Sequence, residues 1–202
     1  MRVIAVQYAT RRQRFLVWAI YFLALFWGEM AMANYRPAFD RMIQNEGGYK
    51  LHDVPGDRGG QTYAGIARNF HAQWPGWRFI DNGQRDAVEL SQLVEQFYRE
   101  QFWLPIHGEE ITGQGVAETL FDFAVNAGTR TAIKLAQIVI NTTPDGAIGS
   151  ETLGLLNSIS DEDFKVRYVL AKIARYAEIV SRDRDQGKFL LGWINRTLKG
   201  VA

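Results

Sequence analysis

Glu46 closes an apolar-patterned stretch and is followed at once by Gly47-Gly48-Tyr49; beyond it, Asp57-Arg58-Gly59-Gly60-Gln61-Thr62-Tyr63-Ala64-Gly65-Ile66 forms a polar, glycine-rich segment. A carboxylate in the last turn of a helix faces the negative end of the helix dipole, an effect of about 0.3–1 kcal/mol that favours its protonated form. Burial against neighbours such as Tyr49 would have to supply the larger share of the shift. An acid that keeps its proton near neutral pH can protonate a poor leaving-group oxygen, while a second polar group across a cleft serves an oxocarbenium-like transition state. Cleavage of a glycosidic bond is the chemistry this pattern suits. Asp57 is placed to hold and polarise the attacking water, aided by Thr62. Three alternatives stand beside that reading: Asp57 as an Asx turn residue, Asp53 in its place, and Thr62 as a β-hairpin residue. Gly59 and Gly60 read as backbone that bends tightly or approaches a ligand closely.

Helices must position these groups. Phe39, Met42 and Ile43 recur at helical spacing after Pro37, and Gly47-Gly48 ends that helix. Residues 48–66 read as a loop or short β-hairpin. A second helix is expected over about Asp86–Gln101, with Leu90, Val94, Phe97 and Phe102 inwards. A third spans Gly115–Ala127 and is closed by Gly128. Thr129 is placed to cap the next helix, through Ile140, and Ser150 a short one over 151–157. Ser160-Asp-Glu-Asp163 predicts an acidic helix start for a stretch through Val180, and Gly187 precedes a last helix built on Phe189, Leu190, Trp193, Ile194 and Leu198. The expected fold class is mainly α.

Further candidates are spread along the chain. Trp74, Trp77, Trp103, Tyr63 and Tyr98 have rings that could stack on sugars, although most aromatic residues of a small protein are core. Asp122 and Asn126 lie four apart on one helix face, suited to lining a cleft or to capping and interhelical bonds. Arg175, Arg182, Arg184 and Arg196 would favour an anionic polymer or simply form a solvated face.

The chain of 202 residues suits one compact domain or two small lobes. Its formal charge of +1 hides an uneven distribution, because residues 1–33 hold Arg2, Arg11, Arg12 and Arg14 against Glu29. The rest carries 23 − 4 = 19 basic and 22 − 1 = 21 acidic residues, a net of −2, which is no footprint for nucleic acid. Without cysteine, and with His52, His71 and His107 far apart, neither a disulfide framework nor zinc-ligand spacing is present. In residues 1–33, arginines precede an apolar run from Phe15 to Trp27, and Ala31-Met32-Ala33 offers small residues for cleavage. Three readings stand: a secretory signal, a marginal anchor with membrane contact through residues 15–27, or a true start at Met30 or Met32 with export only on release. In each case the extension is expected to stay out of the core.

The Glu-Gly-Gly-Tyr stretch and the Asp-x-Gly-Gly-x-Thr-x-x-Gly-Ile block together resemble the catalytic segment of glycoside hydrolase family 108, the bacterial and phage muramidases. Phe121-Asp122-Phe123-Ala124-Val125-Asn126-Ala127-Gly128, Pro144-Asp145-Gly146-Ala147-Ile148-Gly149, Arg175-Tyr176 and Phe189-Leu190-Leu191-Gly192-Trp193-Ile194-Asn195-Arg196 resemble the predicted peptidoglycan-binding half of that family. The link around Pro55-Gly56 is longer than is usual there, which is why Asp53 and Asp57 compete. The resemblance implies a lysozyme-like, two-lobed helical fold, with a catalytic lobe over 34–112 and a peptidoglycan-binding lobe over 113–198. It implies Glu46, Asp57 and Thr62 as catalytic residues, with Tyr49, Gly59, Gly60, Tyr63, Asp122 and Asn126 on the substrate. It further implies a monomer that acts on peptidoglycan strands without metal or organic cofactor.

Overall fold

The computed structural model describes residues 32–45, 47–53 and 58–199; the signal-like run, Glu46 and Asp57 lie outside them. Helix α1, Tyr35–Asn45, turns Tyr35, Ala38, Phe39, Met42 and Ile43 into the core. Three two-residue strands follow, β1 Leu51–His52, β2 Thr62–Tyr63 and β3 Ile66–Ala67. They pair antiparallel in chain order, with Leu51 opposite Tyr63 and Tyr63 opposite Ile66. Helices α2 (Trp77–Asp81) and α3 (Val88–Tyr98) complete the first half. The second half is built from α4 (Gln114–Ala127), α5 (Thr129–Val139), α6 (Ser150–Leu156), α7 (Asp161–Arg182) and α8 (Gly187–Lys199). The chain is mainly α with one small antiparallel sheet, as its sequence predicts.

Helix α4 is the central element. Val116, Leu120 and Ala124 are fully buried and Phe121 and Phe123 nearly so, so it meets neighbours on most of its circumference. Its start is capped from a distance. Asp161, in the first turn of α7, accepts hydrogen bonds from Gly115 N (2.9 Å) and Val116 N (3.1 Å). A Cβ on Gly113 or Gly115 would come within 2.5 and 2.8 Å of that carboxylate, so glycine is what lets it in.

Several local expectations need correction. The helix at 88 does not run on as a regular α-helix: Arg99–Trp103 is a wide π turn, followed by a 3-10 turn at Leu104–Ile106. Tyr98 and Trp103, five apart, therefore point inwards, while Phe97 and Phe102 are only half-buried. The Trp103 ring settles between Tyr35 and Phe121, at centroid distances of 5.4 and 5.6 Å. Thr129 and Ser150 do not cap; each is the first helical residue, and Gly128 and Gly149 hold the cap positions without a side-chain bond. Ser160 does cap, accepting from Asp163 N at 3.1 Å. In α8, Phe189 and Leu198 are exposed and the buried side chain is Thr197. Ala33, expected to stay outside the core, is buried and its N–H bonds Ile111 O at 2.7 Å.

Candidate active site

The residue before Glu46, Asn45, ends α1. Just beyond, Gly47 and Gly48 stand at φ +90° and +80°, in the left-handed region that closes a helix. Gly48 N bonds Ile43 O (2.8 Å) and Gly47 N bonds Gln44 O (3.1 Å), which engages two of the free carbonyls of the last turn. Nothing crowds either glycine; the backbone conformation, not space, calls for them.

Asn69 braces the start of the glycine-rich segment through its side chain and its backbone. Asn69 Nδ2 donates to Arg58 O (2.9 Å), and Asn69 N donates to Gly59 O (3.0 Å). Gly60, at φ +63°, has no room for a Cβ, which would stand 2.9 Å from Asn69 Nδ2. The expected tight bend is therefore present. Thr62 lies in β2 opposite His52 and Ala67, and its hydroxyl donates to Gly60 O at 3.2 Å. Asp53, directly after β1, is exposed. Tyr63 is 3% exposed and stacks on Trp74, so it is a core ring and not a platform for sugar; Tyr49 beside it is 44% exposed. Trp74, Trp77, Trp103 and Tyr98 are likewise buried. Tyr98 OH donates to Ala64 O (2.8 Å) and Trp77 Nε1 to His71 O (2.8 Å), which ties the sheet and the loop after it to the helices.

From the second half, a groove of about 740 Å³ reaches Asn45, lined also by Arg41, Glu118, Asp122, Lys172 and Arg196. Asp122 therefore lines the same groove as the last residue of α1. Asn126 lines an adjoining groove, and its amide donates to Asp122 O at 2.7 Å, a bond within the helix. The sequence reading missed Glu118, one turn before Asp122. It is 8% exposed, with Oε2 2.6 Å from Arg41 Nη1 and Oε1 accepting from Gln114 Nε2 at 2.8 Å. Its signal was a carboxylate inside an apolar helix at i−4 from another candidate. Lys172 was missed too. It is 7% exposed, with its ammonium 3.8 Å from Asp122 Oδ2 and over the rings of Phe123 and Tyr168. Burial lowers its pKa, Asp122 offsets part of that, and Arg196 adds to it. Of the other arginines, Arg175 and Arg196 line the grooves while Arg182 pairs with Glu178. Among the described residues no cluster of His, Asp or Glu is arranged to hold a metal ion, and no helix is long and apolar enough to cross a membrane.

A helical body with a three-stranded sheet beside the end of its first helix, and a polar groove reaching that end, defines a lysozyme-like fold. Residues 39–128 match the glycosyl hydrolase 108 family, and residues 117–198 match the predicted peptidoglycan domain. The two matches share residues 117–128, most of α4. The chain is thus a glycoside hydrolase directed at peptidoglycan. It is similar to the solved structure of Brucella abortus SagA, at 25% identity and a TM-score of 0.62, over 82% of this chain and 90% of that one. No curated protein matches it.

Proposed function

We propose that the protein is an N-acetylmuramidase, hydrolysing the β-1,4 bond between N-acetylmuramic acid and N-acetylglucosamine. The observation that carries this reading is the groove that reaches Asn45, the residue just before Glu46, with Asp122 and Glu118 of α4 also in its lining. Glu46 gives its proton to the glycosidic oxygen as the bond to the anomeric carbon breaks. Asp57, with Asp53 as its competitor, holds the water that adds to that carbon, and Thr62 supports it through the Gly60 carbonyl. Tyr49, Gly59 and Gly60, together with Asp122 and Asn126, flank the strand. Residues 1–33 serve as signal or anchor that brings the enzyme to the envelope, unless synthesis starts at Met30 or Met32.

The test is Glu46→Gln. Gln is nearly isosteric and has no proton to give, so clearing of purified walls should fall by at least ~10²–10⁴-fold at unchanged melting temperature. New reducing ends on muramic acid from the parent protein identify the bond. Activity within a factor of a few would remove Glu46 from the mechanism; wall binding without cleavage by the parent would make this a non-catalytic peptidoglycan-binding protein.

A further inference from the structure

The segment after β3 and the outer side of α3 border a second groove, of about 540 Å³, whose described lining shares no residue with the groove at Asn45. Its floor is aromatic. Trp74 and Phe97 meet edge to face, with centroids 6.4 Å apart, and His71 stands edge-on to Phe97 at 4.7 Å. Its rim is made of carboxamides, Asn69, Gln73, Gln96 and Gln101, with Phe70 beside them, 68% exposed. Among the described residues of the lining Glu100 is the one acidic side chain, accepting from Gln96 Nε2 at 2.8 Å, and no Lys or Arg is present.

That composition selects a ligand. The exposed ring of Phe70 and the half-buried ring of Phe97 can offer faces to the C–H side of a pyranose, with the buried Trp74 as support, while carboxamides both donate to and accept from hydroxyl and acetamido groups. The lack of cations sets it apart from the groove at Asn45, which holds Arg41, Lys165, Lys172 and Arg196. An anionic ligand would find nothing here to pair with. A single exposed phenylalanine is ordinary surface, but this one borders a concave, amide-rimmed site whose size lies within the range of ligand pockets.

We propose that this groove is an accessory site for neutral, N-acetylated glycan, separate from the hydrolytic cleft. It rests on the hydrolase reading for the identity of its ligand alone. Asn69 joins the two regions, since it lines this groove and also clamps Arg58 and Gly59. A strand held here is thereby anchored beside the segment that follows Asp57.

The probe is the β-1,4-linked tetramer of N-acetylglucosamine, titrated into the full chain carrying Glu46→Gln so that it is not consumed. Backbone amide shifts should move over 69–75 and 93–101. Phe70→Ala and Gln101→Ala, both surface changes, should each weaken binding at this site by about threefold to tenfold, the range of one aromatic contact. With Glu46 intact, the same variants should bind insoluble walls less and cut short soluble fragments at the parent rate. Unmoved shifts over both segments, or parental affinity in both variants, overturns the proposal. Binding here by a chain that cuts no glycan upholds this site and refutes the hydrolase reading instead.

Discussion

Arg41 on α1 and Glu118 on α4 are joined by a 2.6 Å ion pair in which the guanidinium side is largely exposed and the carboxylate is buried. The pair crosses between the helix that leads to Glu46 and the helix common to both family matches. Gln114 holds the other carboxylate oxygen and also pairs with Asn34 in both directions, at 2.7 and 3.0 Å. The last turns of α1 are thus fixed from the side.

Arg41→Ala should therefore lower stability by about 1–3 kcal/mol, since it leaves a buried carboxylate short of a partner. At a temperature where the variant is still folded, kcat should fall about tenfold or more with little change in KM, because a small misplacement of a catalytic group is costly. Glu118→Gln should be milder, as its single carbonyl serves either Gln114 or Arg41. Denaturant titration beside steady-state kinetics on soluble fragments separates the two effects. Unchanged kcat in the folded Arg41→Ala protein would show that the pair is structural only.

Asp57→Asn should cost more activity than Asp53→Asn if Asp57 positions the water. Thr62→Ala should follow the direction of Asp57→Asn, because the Thr62 hydroxyl bonds the Gly60 carbonyl three residues beyond Asp57. Wall-clearing rates of the three variants decide it. A larger loss in Asp53→Asn moves the role to Asp53.

Gln137 is buried, and its amide nitrogen reaches Asp145 Oδ1 (2.7 Å) and Ala147 O (2.9 Å), while its oxygen accepts from Gly146 N (2.8 Å). One side chain thus bonds all three residues of the Asp145-Gly146-Ala147 turn. Gln137→Leu should destabilise by about 2–4 kcal/mol through unmet backbone groups, or roughly 5–15 °C in Tm. A calorimetric scan showing less than about 1 kcal/mol would mean that water replaces the amide.

Lys172→Met should raise Tm at pH 7. The folded pKa of Lys172 is lowered, by burial above all, so the fold disfavours its charged form. That cost is full below the folded pKa and fades as pH rises from there to the unfolded value of about 10.4. The advantage of Met should accordingly shrink over that window. The Asp122 side chain is 32% exposed and remains in contact with solvent. Thermal melts of both proteins from pH 7 to 10 provide the check, and a constant difference would contradict it.

The helix ends written as Gly47, Gly128 and Ser160 were legible because a left-handed residue or a capping hydroxyl acts locally. The groove-lining place of Asp122 was legible from its spacing within an apolar helix. Thr129 and Ser150 misled because the glycines before them took the cap positions, Gly128 at a positive φ and Gly149 extended. Trp77–Asp81 is too short for periodicity to register. Glu118 and Lys172 became visible only once α1, α4 and α7 were brought together, since each has a partner far away in sequence. The turn at 99–103 was hidden for the same reason: Tyr35 and Phe121 decide where Trp103 points.

That turn has a further consequence when read as history. A regular helix carries its next inward residue four places on; here the inward step from Tyr98 to Trp103 is five, and Arg99, Glu100 and Gln101 stay in solvent. A shorter chain lacking Gln101 would restore the four-residue step with the same indole seated between Tyr35 and Phe121. A change of length at this point leaves the seat of Trp103 in place but moves the Phe102 ring stacked on Tyr98, and with it the wall of the amide-rimmed groove. Gain and loss of a single residue is thus a cheap route by which descendants of this chain could acquire or discard a hold on glycan.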